Sequence, residues 1–145
     1  MVAVKKLTEL PKQKPPLDDI LSRARELAQD CKDERGALRV YEQALKLYPD
    51  KPRVLSGLAK LLAAADEKKL RDPKRAVQLA REAAKLAEEK DASALDALAD
   101  ALHANGDWDE AARYAKLLAE RSPGYREYEK RAKQYEKDAA KHRRE

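Results

Sequence analysis

Several residue types are scarce or missing in this chain of 145 residues, which contains no Phe, one Cys and four Gly. A lone Cys cannot form an intramolecular disulfide, so the fold cannot depend on one. Long apolar runs are missing too: the longest, Leu61 to Ala65, is far too short to cross a bilayer, and no apolar signal-peptide core follows Met1. We therefore expect a cytoplasmic protein with no membrane partner, and the sequence is also compatible with a fragment of a longer chain.

The residues that are abundant favour helices. Charged residues make up 41% of the chain and hydrophobic residues 43%, and much of the apolar share is Ala and Leu. Ala, Leu, Glu, Lys and Arg are strong helix formers. A chain of this length can form one domain with a core of its own. Composition therefore predicts a single all-α domain.

The net charge of +5 is concentrated at the two ends. Residues 1–17 hold four Lys and one Glu, and residues 126–145 hold eight basic and five acidic residues, so each end carries +3. Residues 18–125 hold the remaining twenty basic and twenty-one acidic residues, which gives −1. A neutral body weakens the hypothesis that the fold as a whole binds nucleic acid.

Apolar residues recur at helical spacing in seven segments. Residues 1–16 precede them and are rich in Pro and Lys, which predicts a flexible leader or linker. Proline, glycine and capping residues then divide the chain into hairpins over about 17–49, 50–90 and 91–122. A capping helix is predicted over about 123–143, with a row of tyrosines on its inner face.

The helix starts and ends are clearest in the third hairpin and at the second helix of the hairpin before it. Asp91 and Asp72-Pro73 are helix starts, since a carboxylate can cap the first turn. Asn105-Gly106 ends a helix, because Gly accepts the left-handed conformation. Asp107 restarts the next helix, and Glu110 is predicted as its capping-box partner. Trp108 is predicted to pack over this turn as a staple, the alternative being an exposed contact residue.

A sequence repeat runs through the second helices of the three hairpins. Residues of similar type recur at steps of four and three: Ala37, Tyr41 and Ala44; Ala76, Ala80 and Ala83; Ala111, Ala115 and Leu118. Pro49 stands five residues after the first set, and Pro123 stands five residues after the third. In the leading helices, Leu21 and Leu55 are 34 residues apart. A period of this size is typical of helical repeat proteins.

The pattern resembles the tetratricopeptide repeat, a helix-turn-helix unit of about 34 residues. The resemblance covers residues 18–123, and its most specific part is LDALADALHANGDWDEAARYA. It implies an all-α solenoid of three such repeats, wound as a right-handed superhelix and closed by the capping helix. The first hairpin departs from the family pattern, because Arg25 stands where a small residue is usual.

The same resemblance implies that the leading helices line a concave groove that binds a partner. The residues expected to point into it are Asp19, Ser22, Glu26, Gln29, Arg53, Ser56, Lys60, Ser93, Asp96, Asp100 and His103. The carboxylate clamp of some family members is absent, because its positions hold Ser22, Glu26, Gly57, Ser93 and Ala97. The groove would be acidic at both ends with a basic middle. We therefore expect a peptide or helix of a protein partner, of basic or mixed charge.

Nothing in the sequence predicts catalysis. His103 and His142 have no partners at metal-binding spacing, and Cys31 is predicted to be a small core residue rather than a nucleophile. The chain has no Gly-rich phosphate loop and no Gly-x-Ser-x-Gly elbow. We therefore expect no enzyme activity, no metal and no cofactor.

Three alternatives to a peptide-binding scaffold stay open at this point. The basic termini, with the tyrosines of the last helix, could bind nucleic acid, in which case binding would weaken steeply with salt. The chain could also be a structural spacer, an assembly subunit or an engineered repeat with no native ligand. An exposed tyrosine row on the capping helix would favour self-association through that end.

Overall fold

The computed structural model describes residues 14–144 of the chain. Over this range the backbone forms seven α-helices and no β-strand. The helices are α1 (Leu17–Gln29), α2 (Glu34–Leu47), α3 (Pro52–Ala64), α4 (Pro73–Leu86), α5 (Ala92–Ala104), α6 (Trp108–Arg121) and α7 (Arg126–Arg143). A short 3₁₀ turn, Lys68–Leu70, lies between α3 and α4. The prediction of an all-α chain with about seven helices is confirmed.

Most of the leader predicted over residues 1–16 lies outside the described residues. Its last part, residues 14–16, contacts the C-terminal end of α2. The hydroxyl of Tyr48 donates a hydrogen bond of 2.7 Å to the carbonyl of Pro15, and Lys14 Nζ lies 4.1 Å from the centroid of the Tyr48 ring. These contacts fix the point at which the chain enters α1.

Acidic caps and prolines determine where several helices begin. The carboxylates of Asp33, Asp72 and Asp91 accept hydrogen bonds from backbone N–H groups in the first turns of α2, α4 and α5. Pro52 and Pro73 are the first residues of α3 and α4, where a helix does not need the N–H that proline lacks. Each side-chain cap contributes about 0.5–2 kcal/mol. The caps predicted at Asp72 and Asp91 are confirmed.

Residues in the left-handed backbone conformation follow α1, α4, α5 and α6, and the ends of α5 and α1 bear on the predictions. Gly106 has a φ of 84° after α5, as its position predicted. Lys32 has a φ of 53° after α1, although it carries a side chain. Because α1 already ends at Gln29, Cys31 lies in this turn and is exposed. The prediction that Cys31 belongs to the core is therefore wrong, since it assumed that α1 continued past Gln29.

The capping box predicted at the start of α6 is also wrong. Asp107 makes no side-chain cap bond, and its carboxylate instead accepts a hydrogen bond of 2.8 Å from the amide of Asn105. Glu110 reaches across to α4, where its carboxylate lies 2.9 Å from Nη2 of Arg81. An ion pair between neighbouring helices thus replaces the local bond that the sequence predicted.

Two large apolar side chains at helix ends, Leu86 and Tyr125, are exposed. Leu86 is the last residue of α4 and is 44% exposed. The capping helix begins at Arg126 rather than near residue 123, because Gly124, with a φ of 94°, forms a turn after Pro123. As a result Tyr125 precedes the helix and is 63% exposed, although the tyrosine row was expected to face the core.

Consecutive helices pair as hairpins, α1 with α2, α3 with α4 and α5 with α6, and α7 packs along α6. The centre of the molecule is α5, which contacts α3, α4 and α6. Eight of its 13 residues are buried, among them Leu98 and Leu102. Complete burial of one Leu side chain contributes about 1.5–3 kcal/mol. The third hairpin therefore supplies much of the core.

The first hairpin sits differently from the other two. Whereas α5 packs directly against α3, the main contact of α1 is with α2, and its backbone stands apart from α3. The buried ring of Tyr41, on α2, borders this gap and lies against Gly57 of α3. A Cβ atom at position 57 would lie only 2.6 Å from Cε1 of Tyr41. The Tyr41 ring, and not the helical backbone, therefore requires glycine at this position.

We expect Gly57→Ala to lower the free energy of unfolding by about 1–2 kcal/mol, measured by urea denaturation. Replacing glycine by alanine inside a helix normally stabilises it by about 0.5–1 kcal/mol. Here the added methyl group overlaps the buried Tyr41 ring, and overpacking of this kind costs about 1–3 kcal/mol.

The control is the same substitution in a Tyr41→Leu background, where the narrower side chain relieves the overlap. The cost of Gly57→Ala should shrink there or change sign. An equal cost in both backgrounds, or a stabilising effect in the original chain, would show that this contact does not impose the glycine.

Candidate functional site

An open cavity of about 460 Å³ lies where α1 stands apart from α3. We call the surface formed by α1, α3 and α5 the groove, and this cavity its open part. The polar residues that line the open part are Arg25, Gln29, Glu34, Tyr41, Arg53, Ser56, Lys60 and Ser93. They come from all three groove helices and from α2, which forms the floor through Tyr41.

Three cations line the open part, and two of them have carboxylate partners. Arg53 forms an ion pair with Asp18 of α1, and Lys60 forms one with Asp96 of α5. Arg25 differs, because no carboxylate of residues 14–144 lies within ion-pair distance of its guanidinium. Its only hydrogen bond to the described chain is a long one of 3.4 Å, from Nε to a carbonyl of its own helix. Most of its N–H groups are therefore available.

Two further polar side chains of the open part differ in whether they form hydrogen bonds. Both carboxylate oxygens of Glu34 accept hydrogen bonds of 2.9 Å from the backbone N–H groups of residues 66 and 67. The Ser56 hydroxyl is buried, with the residue only 5% exposed, and has no hydrogen-bond partner in the described chain. Burial raises the pKa of Tyr41, an effect that the charge of Arg25 opposes.

The part of the groove formed by α5 is covered by α7. Nη1 of Arg131 lies 2.6 Å from Oδ1 of Asp96 and 2.8 Å from Oδ1 of Asp100. Burial alone would lower the pKa of Arg131, but the carboxylates of Asp100 and Asp96 outweigh it and raise the pKa. The hydroxyl of Tyr135 donates a hydrogen bond of 2.8 Å to Oδ1 of Asp100, and burial together with that carboxylate raises the pKa of Tyr135.

Aromatic stacking extends the same contact between α5 and α7. The ring of His103 stacks on Tyr135 with centroids 4.0 Å apart, and its Nε2 lies 2.8 Å from Oδ2 of Asp138. This hydrogen bond is the main cause that lowers the pKa of Asp138. Trp108 stacks on His142 at 3.9 Å and meets His103 edge-on at 4.8 Å. Trp108 thus packs over its own hairpin turn, as predicted, and α7 extends that stack.

The groove residues predicted from the sequence fall into three groups. Those that line the open part are Gln29, Arg53, Ser56, Lys60 and Ser93. Those exposed on α1 outside the cavity are Asp19, Ser22 and Glu26. Those held against α7 are Asp96, Asp100 and His103. The acids expected to give the α5 end a negative charge are therefore paired within the chain.

Some residues of this surface were not identified from the sequence. Arg25 and Tyr41 line the open part, although the repeat pattern assigned their positions to packing between helices. For Arg25 a signal was present, because a long cation stands where a small residue is usual. For Arg131 and Tyr135 no signal was available, since the pattern of α7 does not tell which of its side chains reach α5.

None of the helices of residues 14–144 combines the length and the apolar character that a membrane span requires. Over the same residues, no group of three or more His, Cys, Asp and Glu side chains is arranged to hold a metal ion. The open part therefore offers ion pairs, hydrogen bonds and apolar contact.

Comparison with known proteins bears on the fold. A scan against family models and a search of curated proteins gave no match. Among solved structures, the crystal structure of the Sgt2 TPR domain from Aspergillus fumigatus is similar, with a TM-score of 0.74 and 19% sequence identity. The match covers 94% of this chain and 89% of that chain. The chain therefore has the tetratricopeptide fold, an all-α solenoid of helix-turn-helix repeats.

We expect Arg131→Met to lower the free energy of unfolding by about 1–3 kcal/mol in urea denaturation. The substitution keeps an apolar stem but leaves the carboxylates of Asp96 and Asp100, whose side chains are 11% and 27% exposed, without their shared cation. Lys133→Met is the matched control, because Lys133 is exposed on the same helix and should change stability by less than about 0.5 kcal/mol. Equal stabilities of the two variants would contradict the role given to Arg131.

Proposed function

We propose that the chain is a non-catalytic protein-interaction module that binds an extended segment or a helix of a protein partner in the groove. The tetratricopeptide fold supports an interaction scaffold in general, because its leading helices present side chains along one face. The site proposed here is narrower. It consists of the open part between α1 and α3 together with the exposed residues Asp19, Ser22 and Glu26 of α1.

The observation that carries this proposal is the contrast between the two ends of the groove. At one end, long side chains of α7 fill the space beside α5 and form ion pairs and a hydrogen bond with its acids. At the other end, no side chain of residues 14–144 fills the gap between α1 and α3, and the guanidinium of Arg25 has no carboxylate partner among these residues. A partner segment would fill the second gap much as α7 fills the first.

The charges of the available surface favour a partner of mixed charge. Asp19 and Glu26 are exposed on α1, whereas the cation Arg25 lines the cavity between α1 and α3. The acids of α5 are paired with Arg131 and Lys60, so they no longer favour a basic partner. A segment with an acidic residue in the cavity and basic residues beside Asp19 and Glu26 would complement this pattern.

A peptide selection tests the proposal. Peptides of about 12 residues selected from a random library on the intact chain would be measured for affinity against two charge-swapped variants. The groove variant is Glu26→Lys with Arg53→Glu, and the control variant is Glu82→Lys with Arg39→Glu on α4 and α2. All four residues are exposed, and both variants keep the net charge of +5.

We expect the groove variant to bind the selected peptides at least about tenfold more weakly, which corresponds to about 1.4 kcal/mol, because each swap places like charges together. The control variant should bind as the intact chain does. Unchanged affinity for the groove variant, or an equal loss with both variants, would contradict binding in the groove.

A further inference from the structure

The open part contains one cation without a partner, and its position is unusual for a repeat of this type. Arg25 occupies a place on α1 where the repeat pattern has a small residue, and its side chain lines the cavity between α1 and α3. It is exposed, and its single hydrogen bond of 3.4 Å uses only Nε. The two terminal nitrogens of its guanidinium, which can bind both oxygens of a carboxylate, therefore have no partner among residues 14–144.

A second polar group of the same cavity is unsatisfied. The hydroxyl of Ser56, on α3, is buried and makes no hydrogen bond within residues 14–144. Buried polar groups in folded proteins normally have a partner, so this hydroxyl beside the cavity is free to bond to a group from outside the described chain. A serine hydroxyl can donate to an anion, which matches the charge of Arg25.

The acidic groups near the cavity do not serve Arg25. Glu34, the one acid that lines it, directs both oxygens to backbone N–H groups of residues 66 and 67. Asp18 pairs with Arg53, and Asp96 is shared by Lys60 and Arg131. Among the described residues, the charge left over in the cavity is therefore positive.

We propose that this cavity is a binding site for an acidic side chain, Asp or Glu, of the partner segment, with Arg25 forming the ion pair and Ser56 donating a hydrogen bond. The inference rests on the proposed function of the groove and names the chemistry of its ligand. The Ser56 oxygen is buried, so a hydrogen bond to it would require the groups around it to move slightly, which a slender side chain allows more readily than a chain terminus. The volume of about 460 Å³ holds such a side chain with room beside it.

The test uses a small probe, so it does not depend on knowing the partner. Acetylated and amidated glutamate would be titrated into the ¹⁵N-labelled chain, and backbone amide shifts would be followed by NMR at constant ionic strength. The matched probes are acetylated and amidated glutamine, which has no charge, and acetylated alanine, whose only carboxylate is terminal. We expect saturable shifts at Tyr41, Ser56 and Gly57 with the glutamate probe alone.

Two variants assign the effect to the proposed residues. Arg25→Gln should weaken binding of the glutamate probe by about tenfold, and Ser56→Ala by about threefold, since a charged pair contributes more than a hydrogen bond from a hydroxyl. Arg25→Lys should give an intermediate affinity, because it keeps the charge and loses the paired N–H groups. Arg39→Gln, on the exposed side of α2, is the control and should have no effect.

Three results would overturn the inference. Equal shifts with the glutamine probe would remove the role of charge, stronger binding of acetylated alanine would assign the site to a chain terminus, and a full response in Arg25→Gln would remove Arg25.

Failure of the proposed function would give different results. If selected peptides bind in the groove but keep their affinity after replacement of each Asp or Glu by its amide, the function stands and this site fails. If the glutamate probe binds but the groove variant binds the selected peptides as tightly as the intact chain does, the site stands and the proposed function fails.

Discussion

The contact of Arg131 with Asp96 and Asp100 determines which part of the groove a partner can use. Arg131 bridges two carboxylates of α5, one of which also pairs with Lys60 of α3. Bringing these charges out of water is costly, and only the multiple pairing and the added hydrogen bond from Tyr135 offset that cost. Because the arrangement holds α7 over α5, it closes one end of the groove and neutralises the acids there.

The two ends of the groove show two solutions to one packing problem. Helices that carry long side chains at their contacts cannot approach as closely as helices that carry alanine. Between α5 and α7 the chain fills the resulting space with its own stacked and ion-paired side chains. Between α1 and α3 it does not, and Arg25, Ser56 and the ring of Tyr41 border an open cavity. The vacancy, the unpaired guanidinium of Arg25 and the unbonded hydroxyl of Ser56 occur at the same place among the described residues, and this coincidence is the basis for locating the function there.

The sequence was sufficient for the features that depend on local chemistry. Helical spacing, the caps at Asp72 and Asp91 and the turn at Gly106 predicted the helices, and the resemblance of the repeat to a known family predicted the fold. The sequence was not sufficient where a side chain can bond either within its own helix or to another helix. Glu110, for example, pairs with Arg81 of α4 instead of capping its own helix. The sequence also could not show that α7 covers Asp96 and Asp100, because this contact joins side chains more than thirty residues apart. For the open part the sequence contained one signal, which is Arg25 at a position where the repeat usually has a small residue.

The measurement that tests the central claim most directly is backbone amide hydrogen exchange of the full chain, with and without a selected peptide at saturating concentration. Our account predicts slower exchange in α1 and α3, whose facing sides would be covered, and little change in α7, which already lies against α5. Slower exchange confined to α7, or to α4 and α6 on the other face, would contradict it, because the partner would then bind outside the groove.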